Sequence, residues 1–226
     1  MRNLVGFDTE TTGVATERDR IVTAAMVRRP AEGGEVTMTW LIDPGVEIPP
    51  QATAVHGITT ERARAEGRAP AEALDEIAGH LAAALAEGLA VLAFNAAYDL
   101  RILKAELERH GLATLEQRLG GAVAPVVDPL VIDRAADRYR KGKRKLEDLM
   151  AVYGVESSHN LHDALEDVRQ SIAVFDAIER RHAQVAAMDL AALHDWQRQA
   201  HRDWADHFNQ WLSSRGRPAD ADPSWP

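Results

Sequence analysis

The sequence predicts an α/β fold: one mixed sheet, three antiparallel strands and then two parallel ones, flanked by helices and followed by a C-terminal helical extension. Three observations carry this prediction. Runs at 3–8, 20–29 and 35–43 ("NLVGFD", "RIVTAAMVRR", "EVTMTWLID") are rich in Val, Ile, Leu and Thr and read as strands. The segments between them are polar or glycine-bearing and too short for a crossover helix, so neighbours should be antiparallel. Beyond residue 70 helical and strand-like runs alternate, which is the pattern of a sheet covered by helices.

Each later element has its own signal. Over 70–85 Leu74, Ile77, Leu81 and Leu85 recur at helical spacing and Gly88 stops the run. "LAVLAF" at 89–94 reads as a strand, and 97–110 as an amphipathic helix carrying Leu100, Leu103 and Leu107 and capped by Gly111. "APVVD" at 124–128 is a short strand, and helices are expected near 129–138, 145–153 and 163–182. The domain reading is therefore an α/β domain over 1–183, a C-terminal helix over 184–213 and a flexible, proline-bearing tail over 214–226. Leu193, Trp196, Ala200, Trp204, Phe208 and Trp211 give that helix an aromatic stripe, suited to covering the domain, a partner or a second copy of the chain.

Bulk composition narrows the classes. Hydrophobic residues are 46% and charged residues 27% of the 226, the range of a folded protein with a sizeable core. There is no cysteine, which excludes disulfides, thiolate metal sites and a cysteine nucleophile and fits a reducing compartment. No apolar run approaches the roughly 18 residues of a membrane span, and no leader pattern precedes the first strand, so the cytoplasm is expected and a membrane role is not. A net charge of −9 speaks at first against a nucleic-acid partner.

The opening strand ends in "FDTETTG". Asp8 and Glu10 are two residues apart, so on a strand they project to one face. Alone, such a pair reads as a solvated strand end; held together, two carboxylates need a cation between them. Further acids stand where a site would need them. Asp99 opens a helix in "FNAAYDLRIL", and Asp167 lies in "HNLHDALEDV" with His162 five residues before it. Five helical residues turn about 140°, so His162 and Asp167 would not share a helix face. The spacing works if His162 precedes the helix, Asp163 caps it with Glu166 as capping-box partner, and Asp167 points inward. Four carboxylates without cysteine are hard oxygen ligands for Mg²⁺ or Mn²⁺. Two such ions form the device for in-line phosphoryl displacement, and a histidine beside the attacking water is a natural base.

"FDTETTG", "VHGIT" at 55–59, "FNAAYD" and "HNLHDALEDV" resemble, in order and approximate spacing, the motifs of the DEDD superfamily of 3′-5′ exonucleases, His-containing branch, in the manner of a proofreading epsilon subunit. The similarity spans roughly 3–180. It implies a ribonuclease H-like fold and two-metal hydrolysis that releases nucleoside monophosphates from a 3′ end. By motif position Asp8, Glu10, Asp99 and Asp167 resemble the ligands of two Mg²⁺ or Mn²⁺ ions, and His162 resembles the general base. Thr11, Thr12 and Gly13 correspond to the loop that receives the terminal nucleotide, and His56 and Tyr98 to sugar or base contacts. Asn95 keeps the family's spacing to Asp99, although Phe94 stands where many relatives have histidine. The implied partners are a nucleic acid with a free 3′ end and a DNA polymerase or another replication or repair protein. DNA is the expected substrate; an RNA-trimming enzyme or oligoribonuclease is the alternative, and a binding module without catalysis the third reading.

Other tempting residues have simpler explanations. Asp128 before Pro129 reads as a helix cap. Asp133, Asp137, Glu147 and Asp148 read as solvated helix faces. His80, His110, His182, His194, His201 and His207 read as surface or packing residues, while His159 lies closer to the motif. "RYRKGKRK" at 138–145 concentrates positive charge, and beside a phosphodiester-cleaving site Arg140, Lys141 and Lys143 become a backbone clamp with Tyr139 free to stack on a base. This clustering answers the charge objection, and two divalent ions would move −9 to about −5.

Overall fold

The computed structural model describes residues 1–156 and 163–226. Strands β1 (Leu4–Thr11), β2 (Ile21–Arg29) and β3 (Val36–Leu41) form an antiparallel meander, as expected from their short connections. Two short helices follow, α1 (Pro50–His56) and α2 (Thr60–Glu66), then the long α3 (Pro70–Ala86). Next come β4 (Ala90–Leu92), α4 (Ala96–Arg109), α5 (Leu115–Leu119) and β5 (Val126–Val127). The chain continues through α6 (Pro129–Ala136), α7 (Leu146–Tyr153), α8 (Ala164–Arg181), α9 (Ala183–Ala186) and α10 (Leu190–Ser213). The sheet order is β3-β2-β1-β4-β5, with β1, β4 and β5 parallel. The segments leaving β1 and β4 therefore emerge at the same end of the sheet, which brings Asp8–Gly13 close to Asn95–Asp99.

Central β1 is buried on both faces, as a strand covered by helices must be. Val5 and Phe7 join a core with Met26, Leu74, Ile77 and Leu103 under α3 and α4. Leu4 joins a second core with Val27, Leu92, Val168, Phe175 and Ile178 under α8. Small α1, α2, α5 and α9 are additions that periodicity did not announce, each too short to show it.

The two-residue edge strand β5 is closed by side chains of α10. His194 Nδ1 accepts the Val126 N–H at 3.1 Å, Gln197 Nε2 donates to the Val126 carbonyl at 3.0 Å, and Gln197 Oε1 accepts the Asp128 N–H at 2.7 Å. These bonds stand in for a sixth strand on an otherwise open edge. The aromatic stripe of α10 packs partly inward: Leu193 is buried, and Trp204, Phe208 and Trp211 stack at 5.6 and 5.7 Å, with Arg134 lying 3.9 Å over Trp204. Among the described residues no helix is long and apolar enough to cross a membrane.

Two expectations are corrected. The tail over 214–226 is docked rather than free. Asn209 Oδ1 accepts the Asp220 and Ala221 amides at 3.0 Å each, Arg101 donates to the Ser224 carbonyl at 2.9 Å, and Trp225 is only 7% exposed. Burying an indole outweighs the polar, proline-bearing composition around it, and its pocket is built by remote elements. Asp133 is not on a solvated face either: it is fully buried. Arg140 and Arg144 pair with its Oδ2, and the Tyr153 hydroxyl donates to Oδ1 at 2.9 Å. A carboxylate without such partners would be expelled from a core.

Candidate active site

Strand alternation places Leu4, Gly6, Asp8 and Glu10 on the face of β1 that meets α8. Gly6 decides how close that helix comes. A methyl group there would lie 2.4 Å from Val168 Cγ1 and 2.9 Å from Ile172 Cδ1, so α8 rests on bare backbone. Asp167, one residue before Val168, is thereby delivered to the strand end. Ligand oxygens of Asp8, Glu10 and Asp167 all lie within 4.8 Å of one another. Asp163 caps α8, accepting the Leu165 N–H at 3.0 Å, and among the described residues the expected capping box through Glu166 is not formed. Asp99, in the first turn of α4, approaches from the opposite face of the sheet and is oriented by the Thr9 hydroxyl, which donates to Oδ1 at 2.7 Å.

Among the described residues the electrostatics are of one sign. Burial, then the charges of Asp99, Glu10 and Asp167, push the Asp8 carboxyl well above the usual carboxylate range. Burial and then Asp167, Asp99 and Asp163 push Glu10 up to about 8. Burial raises Asp99 to about 7 against the opposing Thr9 bonds. Crowded acids that resist ionisation in the bare protein are what a multivalent cation would relieve. The donors are all oxygen, as Mg²⁺ or Mn²⁺ prefers, so the residues fit such an ion.

The "TTG" turn is held by its own side chains. The Thr11 and Tyr98 hydroxyls lie 2.7 Å apart and each lies 2.7 Å from the Gly13 carbonyl. With one proton apiece, one hydroxyl donates to the carbonyl and the other to its neighbour. Burial raises the Tyr98 hydroxyl to about 12, so it keeps its proton. Thr12, expected to line the nucleotide loop, is buried instead: its hydroxyl bonds Asp19 at 3.2 Å and accepts the Arg20 N–H at 3.0 Å. Asp19 also explains Gly13, where a methyl group would come 2.6 Å from the Asp19 carboxylate. Neither Gly6 nor Asp19 was singled out from sequence. A glycine inside a strand pattern is a signal of close approach that could have flagged the first; nothing local marks the second.

Beside Glu10 a cleft of 730 Å³ opens across β2 and β3, floored by Thr23, Ala25 and Thr39 and walled by His56, Arg62 and Asp163. His56 ends α1, its Nδ1 accepts the Ile58 N–H at 3.2 Å, and burial lowers its pKa against the nearby Thr11 backbone. Asn95 begins α4 in a left-handed conformation, φ 63°. The basic loop divides. Lys141 and Lys143 are exposed and Tyr139 is 88% exposed, whereas Arg140 is committed to buried Asp133 and is not a free clamp residue. His159 and His162 lie outside the described residues.

The family model described as exonuclease (RNase_T) matches residues 5–175. Among curated relatives, the chain is 43% identical over 104 residues to a DNA polymerase III subunit epsilon-like protein of Rhodobacter capsulatus, covering 44% of this chain and 14% of that one. It is 27% identical over 179 residues to DNA polymerase III subunit epsilon of Treponema pallidum, covering 79% and 77%. Among solved structures, exonuclease I of Methylocaldum szegediense superposes with a TM-score of 0.67 at 25% identity, over 89% of this chain and 44% of that one. E. coli exonuclease I in complex with a dA16 oligonucleotide gives 0.70 at 22% identity and the same coverage, a likeness of fold. The chain thus spans less than half of exonuclease I and a small part of the Rhodobacter protein. With three quarters of its length inside the family model and the acids of three separate elements gathered at one sheet end, the chain belongs to the exonuclease family, within the DEDD superfamily of 3′-5′ exonucleases.

Proposed function

We propose that the protein is a divalent-metal-dependent 3′-5′ exonuclease that acts on single-stranded DNA ends, of the His-containing branch. The observation that carries this reading is the convergence of Asp8, Glu10 and Asp167 within 4.8 Å, with the charge of Asp99 bearing on Asp8. These four residues would hold two Mg²⁺ or Mn²⁺ ions, which when bound supply an activated water and stabilise the leaving oxygen. The exonuclease I structures with dT13 and dA16 oligonucleotides support DNA as the substrate class.

The chain's own residues have separable tasks. Thr11, Gly13 and Tyr98 give a braced shelf against which the terminal nucleotide rests, and His56 borders the sugar or base. The 730 Å³ cleft next to Glu10 is roomy enough for terminal nucleotides, with Arg62 facing their phosphates. His162, by its five-residue spacing to Asp167, accepts the proton of the attacking water. Lys141 and Lys143 neutralise backbone phosphates upstream. The epsilon relatives support recruitment by a DNA polymerase.

The test is digestion of 5′-labelled single-stranded DNA, mismatched duplex DNA and RNA with Mg²⁺, Mn²⁺ or EDTA. Stepwise shortening from the 3′ end is expected with metal only. Asp8→Ala and His162→Ala should reduce it about 10³-fold, since several kcal/mol of stabilisation are removed at about 1.4 kcal/mol per factor of ten. Equal rates for wild type and Asp8→Ala would overturn the assignment, and faster digestion of RNA would replace DNA as substrate.

A further inference from the structure

We propose that Asp128 is a positioning residue for the turn that carries Tyr98 and Asp99, and that the C-terminal helix and tail, through Gln197 and Trp225, form its latch. Asp128 follows β5 and is 1% exposed. As anticipated it caps α6, accepting the Leu130 N–H at 3.0 Å. It does more than that. Its Oδ1 also accepts the Asn95 N–H at 3.0 Å and its Oδ2 the Ala96 N–H at 3.0 Å. These are the donors that a helix start leaves without partners, and the Asn95 side chain makes no cap bond of its own. One carboxylate therefore caps two helices, α6 and α4.

The second helix is the one that matters for the site. Asn95 sits at φ 63° and ψ 47°, the left-handed region that asparagine enters more readily than other residues with a side chain, and the two amide bonds to Asp128 fix the turn there. Its carbonyl accepts the Tyr98 N–H at 2.8 Å, and Asp99 follows directly. A shift of this turn would move the Tyr98 hydroxyl off the Gly13 carbonyl and Asp99 away from Thr9 and Asp8.

From behind, Asp128 is gripped by the last part of the chain. Gln197 accepts its N–H at 2.7 Å, and the Trp225 indole donates to Oδ2 at 3.4 Å while packing 5.3 Å from the His194 ring. Arg101, on the same helix as Asp99, holds the tail at Ser224 with bonds of 2.9 and 2.8 Å. The extension thus reaches the turn that carries Asp99 through Asp128. The inference rests on reading Asp99 as a metal ligand for its catalytic consequence, and on geometry alone for the turn.

The test compares full-length Asp128→Asn, Trp225→Ala and Trp225→Phe with wild type, with Val185→Ala as a destabilised control remote from the turn. Amide hydrogen exchange of residues 95–99 is measured well below each melting temperature, together with Mn²⁺ affinity by calorimetry and kcat and KM on an oligonucleotide. Asp128→Asn, which keeps one acceptor oxygen, should speed exchange at 95–99 at least tenfold, weaken Mn²⁺ binding about 10- to 100-fold and lower kcat more than it raises KM. Trp225→Ala should do the same about threefold to tenfold, with Trp225→Phe between it and wild type. Val185→Ala should lower the melting temperature and leave all three readouts unchanged. Wild-type exchange at 95–99 in both Asp128→Asn and Trp225→Ala would overturn the proposal. Altered exchange in a protein whose wild type shows no Mn²⁺ binding, or binds it as well as Asp8→Ala does, would instead overturn the metal reading and leave the latch standing.

Discussion

Two groups of buried acids sit in this protein, and they are solved in opposite ways. Around Asp133 the fold brings Arg140, Arg144 and the Tyr153 hydroxyl onto one carboxylate, so its charge is answered within the chain. Around Asp8, among the described residues, burial and three more acids all push the carboxyl the same way. The first arrangement is self-contained and belongs to the architecture. Among the described residues the second gathers only negative charge around it, a setting that a cation would relieve, so the sign of the surroundings separates the two groups where burial and acidity alone do not.

Breaking the first group should affect folding and spare the chemistry. Asp133→Ala strands two guanidiniums, and removing one partner of a buried ion pair costs about 3–5 kcal/mol. At roughly 2–4 °C per kcal/mol for a chain of this size, the melting temperature should fall by roughly 6–20 °C. Mn²⁺ affinity below that temperature should stay at the wild-type value; a parallel loss would mean that the two groups are coupled.

Gly6→Ala attacks the junction between core and site. The methyl group must displace Val168 and Ile172, an overpacking cost of about 1–3 kcal/mol, and α8 carries Asp167 away with it. Metal affinity and hydrolysis should drop together with stability, unlike in Asp133→Ala. Calorimetric metal titration alongside thermal denaturation separates the two patterns.

The second group also predicts a pH dependence whose sign is unusual for acids. Carboxyls raised to about 7 and about 8 hold protons more tightly in the folded state than in the unfolded one. The stability they contribute in the metal-free protein is full below about pH 4 and is lost as pH rises through 7 to 8. Thermal scans in EDTA should therefore show a melting temperature that falls between pH 5 and 8. Mg²⁺ should recover more of it at pH 8 than at pH 5, and Asp8→Asn should flatten the EDTA profile. A melting temperature that climbed over that interval would contradict the one-signed field. The smallest effect is expected in the basic loop: Lys143→Ala should weaken oligonucleotide binding slightly and reduce its salt slope by about one contact, with little change in stability, whereas Arg140→Ala should mainly destabilise. Salt-dependent binding curves for the two variants would show whether that division holds.

Much was legible locally. The antiparallel meander followed from short connections, Asp8 and Glu10 shared a face because strands repeat every two residues, and Asp128 before Pro129 announced a cap. The positions of Asp99 and Asp163 at helix starts were readable because capping and first-turn chemistry are short-range. What could not be read were pairings across the chain. Asp133 looked solvated because its partners lie seven to twenty residues on, the tail looked free because Trp225 is held by Asp128 and by residues of α4, α5 and α10, and Asp19 behind Gly13 had no periodic mark.

The sequence by itself determined the chemical inventory of this protein: oxygen donors without thiols, a strand that aims two of them together, and a motif order shared with exonucleases. Only the tertiary structure decided which acids meet guanidiniums and which meet other acids, since that depends on groups brought together from distant segments. Gly6 joins the two levels. It is a one-residue choice in the sequence, and it matters because α8 comes to rest on it and sets Asp167 beside Asp8 and Glu10.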